Sequence, residues 1–136
     1  MVDNNWIYAG VFLDDNTKNE LMELVGDKIP EGWKVYLDHM TMVYNDHTPE
    51  AQAFYEGIKG LIGTEQKLVL ASLGMSDKAM ALGIKVNALS KNANPHITVA
   101  TSPTGKPVDS NYIKEWKVMS LPTVKGIVGV VRPRNN

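Results

Sequence analysis

The chain contains no cysteine. That excludes disulfide bridges and thiolate metal sites, and it permits a reducing compartment without requiring one. No apolar run approaches the roughly 20 residues that a bilayer-spanning helix needs. The opening residues, Met1-Val2-Asp3-Asn4-Asn5, lack the basic and apolar regions of a signal peptide. Together these absences lead to an expected cytoplasmic location with no membrane partner. Histidine is scarce, at three residues, and no two lie at the short helical spacing of a zinc site. No serine sits in a nucleophile-elbow pattern. Neither a metal nor a cofactor is therefore expected. Strong positive charge is missing as well: the net charge of −1 argues against a coat for long nucleic acid.

What is present is an ordinary globular composition, 43% apolar and 21% charged over 136 residues. That length fits one domain spanning 1–136, with a core that holds without staples. A monomer is expected. Charge is unevenly divided along the chain. Residues 1–77 carry 5 Lys against 13 acids, and residues 78–136 carry 9 Lys or Arg against 2 acids. Such asymmetry can mark an anion-facing region, although folding commonly intermixes surface charge.

Strand and helix signals alternate. Trp6 to Leu13 reads as a strand, followed by Asp14-Asp15-Asn16 as N-capping side chains. Leu21, Leu24 and Val25 have helical spacing, with Gly26 as the stop. Gly32 to Tyr44 reads as extended. Thr48-Pro49 starts a second helix, whose face is Phe54, Ile58, Leu61 and Ile62. Gly57 and Gly60 weaken that helix, so another requirement is expected to place them there. Leu68 to Met75 and Ala79 to Ala88 form a hairpin about Ser76-Asp77-Lys78. Asn94-Pro95 is a turn, Ile97 to Ala100 a short strand, and Ser110 to Trp116 a short helix. Val118 to Val124 and Gly126 to Val131 close the chain as strands. The pattern predicts an α+β domain of two lobes, with two antiparallel sheets facing across a central groove and helices flanking them.

Two of the three histidines are followed two positions later by threonine, as His39-Met40-Thr41 and His96-Ile97-Thr98. Alternate residues of a strand share a face. His39 and Thr41 therefore project together, as do His96 and Thr98, each pair backed by apolar residues on the other face. Opening a cyclic phosphate with water needs a base for the water proton and an acid for the leaving alkoxide. Imidazole suits both roles, with an ordinary pKa of about 6.5. Threonine hydroxyls beside each ring can donate to the non-bridging phosphate oxygens. Residue type and spacing do not say which histidine is the acid and which the base.

Paired His-x-Thr motifs on two strands resemble the two-histidine phosphoesterase superfamily. The second motif extends as His96-Ile97-Thr98-Val99-Ala100-Thr101, then Lys106-Pro107-Val108-Asp109-Ser110-Asn111. That stretch, with Asp38-His39-Met40-Thr41, is most similar to the cyclic phosphodiesterase domain of fungal-type tRNA ligases. The resemblance implies a bilobal α+β fold and metal-independent hydrolysis of an RNA-terminal or nucleoside 2′,3′-cyclic phosphate to a 2′-phosphate. It gives His39 and His96 the acid–base roles and Thr41 and Thr98 the phosphate. The family pattern carries glycine where Ala100 stands, which bears on the local backbone but leaves the four reacting side chains in place. No kinase or adenylyltransferase motif is read in these 136 residues, so any RNA repair role is expected to involve separate partner enzymes.

Tyr44, directly after the first motif strand, is the first choice for a nucleobase platform among Trp6, Tyr8, Trp33, Tyr36, Tyr44 and Trp116, although strand aromatics are usually core. Lys85 is a candidate phosphate contact, as are Lys91 and Lys106, against the plainer reading of solvated lysines. His47, in Asn45-Asp46-His47-Thr48-Pro49, reads as an exposed residue of a capping turn. Asp38 adjoins His39 but points to the opposite strand face, so it is not expected to orient that ring. Two other functions compete: hydrolysis of 2′,5′-linked oligonucleotides on the same fold, and RNA-end binding without catalysis. Plain binding does not require two titratable imidazoles.

Overall fold

The computed structural model describes residues 3–85 and 89–134. Its elements run β1 (Tyr8–Phe12), α1 (Asp15–Val25), β2 (Lys34–Val35), β3 (His39–Tyr44), α2 (Pro49–Ile58), β4 (Glu65–Met75), β5 (Ala79–Ile84), β6 (His96–Thr101), β7 (Glu115–Val118) and β8 (Thr123–Val131). The helix starts follow from capping. The Asp14 carboxylate accepts from the Thr17 N–H at 2.8 Å, and the Thr48 hydroxyl from the Ala51 N–H at 3.2 Å with Pro49 next in the chain. The β4–β5 hairpin closes on Ser76, whose hydroxyl accepts from the backbone N–H groups of Lys78 and Ala79.

The strands are α+β in class but do not divide into two sheets. β6 pairs with β3 on one side and β5 on the other, and the order β6–β3–β1–β8–β4–β5 returns to β6. The result is one closed six-stranded barrel, not two sheets facing across a groove between lobes. β8 is the reason. It is a single strand of nine residues running through Gly126 and Gly129, and it joins β1 to β4. A Cβ on Gly126 would lie 2.6 Å from Val11 Cγ1 and 2.7 Å from the Phe12 carbonyl oxygen, so only glycine lets β8 continue beside β1 there. All of these pairings are antiparallel.

Other details also differ from the expectations. The segment expected to be a helix at Ser110 to Trp116 is a 3₁₀ turn at Pro107–Tyr112 followed by strand β7. α2 buries Ala51, Tyr55 and Ile58, with Phe54 only half-buried. Gly57 and Gly60 meet nothing within 4 Å of a built Cβ, so no packing demand explains them. The extended strand expected over 79–88 ends at Ile84, and its last three positions lie outside the described residues.

The principal core joins the apolar strand face, Met40 and Ile97 among it, to Leu21 and Val25 of α1 and Ala51, Tyr55 and Ile58 of α2. A smaller cluster of Ala79, Ala81 and Ile113, with Trp116 against it, packs on the other face of β5. Burial on both faces accounts for the uninterrupted small and apolar run of β5.

Candidate active site

The two motifs lie on neighbouring strands. Met40 faces Ile97 across the β3–β6 pair, and both are fully buried. The alternation of strand side chains then turns Thr41, His96 and Thr98 to the opposite face. His39, paired with Phe12 at the start of β3 and two positions from Thr41, lies on that face too, and the chain just before it is irregular. β2 pairs Val35 with Ala100, whereas β3 pairs Met40 with Ile97. Five steps along one strand therefore match three along the other, and two extra residues bulge out between Leu37 and Met40. Leu37 carries the strain at φ 53, a left-handed conformation unusual for leucine.

The His39 ring lies between two aromatic rings, with centroids 5.0 Å from Tyr8 and 5.2 Å from Phe12. Tyr8, Gly10 and Phe12 alternate along β1, so the ring passes over the missing side chain of Gly10. A Cβ built on Gly10 would sit 3.4 Å from His39 Cδ2 and 2.7 Å from the Met40 carbonyl oxygen. His96 is held differently. Its Nδ1 lies 2.8 Å from the Asn94 carbonyl oxygen. A carbonyl only accepts, so Nδ1 carries the proton and Nε2 is left for chemistry. The loop supplying that carbonyl is tied to β3: the Ser90 hydroxyl donates to the Thr41 carbonyl at 2.9 Å, and the Lys91 N–H to the Met42 carbonyl at 2.7 Å. Thr98 Oγ1 shares a 2.9 Å hydrogen bond with the buried hydroxyl of Ser110.

These groups open into one cavity of about 700 Å³, lined by His39, Thr41, His96 and Thr98. Tyr8, Tyr36 and Tyr44 supply aromatic walls, and Asn92, Val108 and Asn111 close it on the loop side. Tyr44 is exposed at the cavity's edge. Lys85 is exposed beyond β5 and is not among the lining residues, and neither are Lys91 and Lys106. His47 lies exposed in its turn at φ 66. Among the described lining residues there is no Lys or Arg; the carboxylate present is that of Asp38. Asp38 is ion-paired to Lys18 of α1 at 2.6 Å and acts on His39 through its charge.

Burial lowers the pKa of both imidazoles below the usual value of 6.5. For His39, Asp38 partly offsets the burial, and the charge of His96 adds to the lowering. For His96, the hydrogen bond to the Asn94 carbonyl is the opposing influence. Burial, and then Asp38, push the Tyr8 phenol upward, so it stays protonated and able to donate.

Sequence reasoning did not single out Gly10, Asn92, Asn94 or Ser110. Ser110 falls within the extended second motif, and Gly10 between two aromatics at alternate strand positions is a legible sign of a ring crossing the backbone. Nothing in the local sequence marks the Asn94 carbonyl. Among the described residues no group of three or more His, Cys, Asp or Glu is placed to hold a metal ion, and no helix is long and apolar enough to cross a membrane.

Comparison with known proteins bears on this arrangement. No curated protein sequence matches the chain. Its fold is shared by a solved structure described as a crystal structure of a fungal RNA kinase, with a TM-score of 0.71 at 12% identity. That likeness covers 98% of this chain and 47% of the other, so the chain spans about half of that protein. At such low identity it speaks for the fold alone. A family profile reaches further, since that of the fungal tRNA ligase phosphodiesterase domain matches residues 22–131, a span that includes both His-x-Thr motifs. The chain belongs to the fungal tRNA ligase phosphodiesterase domain family, of two-histidine phosphoesterase type.

Proposed function

We propose that this protein hydrolyses RNA-terminal or nucleoside 2′,3′-cyclic phosphates by acid–base catalysis from His39 and His96. The observation that carries the reading is the convergence of both imidazoles and both threonine hydroxyls on one 700 Å³ cavity. One imidazole takes a proton from water as its oxygen attacks phosphorus. The other gives a proton to the departing ribose oxygen. The P–O3′ bond breaks, O3′ leaves as a hydroxyl, and the phosphate remains on O2′. The 2′-phosphate product follows the family resemblance; cleavage of P–O2′ would give the other isomer by the same proton transfers.

Thr41 and Thr98 donate to the non-bridging oxygens. A Ser110 hydroxyl that donates to Thr98 leaves the threonine proton directed at phosphate. With no lining Lys or Arg among the described residues, the attraction for the anion comes from an imidazolium and hydroxyl dipoles. That suits the single negative charge of a cyclic diester better than the higher charge of a monoester, and it helps the product leave. Thr98→Val is expected to lower kcat/KM about tenfold while stranding the buried Ser110 hydroxyl, at about 1–3 kcal/mol of stability. Unchanged kinetics and melting would remove Thr98 from the phosphate cradle.

The test is chromatographic: the four nucleoside 2′,3′-cyclic phosphates and a short RNA ending in a cyclic phosphate, assayed with chelator present from pH 4.5 to 9. Hydrolysis is expected, with the product isomer showing which bond breaks. The profile of kcat/KM should be bell-shaped. The acid must be protonated and the base neutral, and both pKa values are lowered below 6.5. The maximum should therefore fall on the acid side of 6.5, with activity declining as pH rises through neutrality. A rate that climbs steadily to pH 9 contradicts the two-imidazole assignment. Turnover of 2′,5′-linked dinucleotides alone would transfer the same four residues to that reaction.

A further inference from the structure

A second cavity of about 410 Å³ lies on the far side of the loop that carries Asn94. Its floor is Trp116, and its polar lining is Ser72, Asn92 and Asn94. Asn92 lines both cavities, so the two are neighbours across a single side chain. The strand register explains how they connect. Ser72 faces Gly83 across β4 and β5, and Gly83 faces His96 across β5 and β6. Residues opposite one another in a ladder share a face. Ser72, Gly83 and His96 thus form one row, with Ser72 about 10 Å from His96 at the usual strand spacing. The middle member has no side chain. A Cβ on Gly83 would press against Ser72 Oγ at 2.1 Å and the Trp116 ring at 3.2 Å. Ser72 and the indole therefore close over the middle of the row, and the indole is brought to the same face as His96.

Trp116 is fixed in place. Its Nε1 donates to the Ile113 carbonyl at 3.1 Å, and its ring covers Gly74, where a Cβ would come within 2.6 Å. The ring is half-buried, with its edge hydrogen-bonded and an open cavity above it. A flat indole with amide and hydroxyl groups beside it matches a nucleobase, which stacks on its face and hydrogen-bonds at its edge. Exposed lysines adjoin the lining on both sides, since Lys85 follows Ile84 and Lys91 precedes Asn92. That charge suits a phosphodiester linkage running past.

We propose that this cavity holds the nucleoside immediately 5′ to the one bearing the cyclic phosphate, its base stacked on Trp116. The inference rests on the cyclic phosphodiesterase reading and makes that reading specific: the substrate is an RNA end of two or more nucleotides rather than a free mononucleotide. Asn92, which lines both cavities, marks where the chain passes from one nucleoside to the next. Occupancy bears on catalysis directly, because Asn94 lines the cavity and its carbonyl sets the His96 tautomer.

The experiment compares kcat/KM for cytidine 2′,3′-cyclic phosphate and for adenylyl-(3′→5′)-cytidine 2′,3′-cyclic phosphate in wild type, Trp116→Ala and Trp116→Phe. A separate titration follows intrinsic fluorescence with adenylyl-cytidine lacking the terminal phosphate. Wild type is expected to prefer the dinucleotide by about tenfold or more, from base stacking. Trp116→Ala should erase most of that ratio and Trp116→Phe keep part of it. Adenylyl-cytidine should quench wild-type fluorescence and leave Trp116→Phe unquenched. Equal turnover of both substrates without quenching overturns the subsite and leaves the phosphodiesterase reading intact, and so does a preference that survives Trp116→Ala. Quenching that depends on Trp116, with neither substrate turned over, keeps the subsite and overturns the phosphodiesterase reading. Neither turnover nor quenching overturns both.

Discussion

Replacing His39 or His96 by alanine should lower kcat for the cyclic phosphate by about 10²–10⁴-fold, the range for loss of one proton transfer. KM should change by no more than a few fold. The argument is geometric. Each ring is held by something other than substrate: His39 by the rings of Tyr8 and Phe12, and His96 by the Asn94 carbonyl. Both are therefore poised before substrate arrives, and removing either takes away a transition-state proton transfer rather than a ground-state contact. The double variant should be little slower than either single one, because two groups acting in one concerted displacement are not additive. Single-turnover kinetics on both variants, with substrate binding measured alongside, check this. Binding lost in both variants while the residual chemical step stays fast would make the histidines binding residues and sink the acid–base assignment.

Gly10→Ala should cost about 1–3 kcal/mol, the usual penalty for overfilling a packed site. It should also slow turnover. The new methyl would meet the Met40 carbonyl oxygen at 2.7 Å. That atom belongs to backbone and cannot swing aside. β1 cannot retreat either, because it is paired with β3 on one edge and β8 on the other. Relief comes only by spreading β1 from β3, which displaces the His39 ring 3.4 Å from the same methyl. Gly57→Ala, on the exposed face of α2, is the contrast. Nothing lies within 4 Å of its Cβ, so helix propensity should raise stability by about 0.5–1 kcal/mol. Thermal melts of the two variants should move in opposite directions. If Gly10→Ala melts with wild type and retains full turnover, the close crossing of β1 over His39 has no part in the site.

The sequence by itself determined the local pieces. Asp14 and Thr48 cap the helices they introduce, and Ser76 closes the hairpin that its neighbours signal. Those interactions lie within three residues of chain, where residue type dictates backbone geometry. The alternation that sets His96 and Thr98 on one face, with Ile97 on the other, was legible for the same reason. Only the tertiary structure decided which edges meet. A strand pattern fixes a strand's faces and says little about its neighbours, so two sheets read as well as one ring until β6 was seen bonded to both β3 and β5. The bulge between Leu37 and Met40 depends on the register of β2 and β3 against β6, which no single strand contains. Ser110 reaches Thr98 from twelve residues along the chain, and Asn94, though only two residues before His96, acts through a backbone carbonyl that its residue type does not mark.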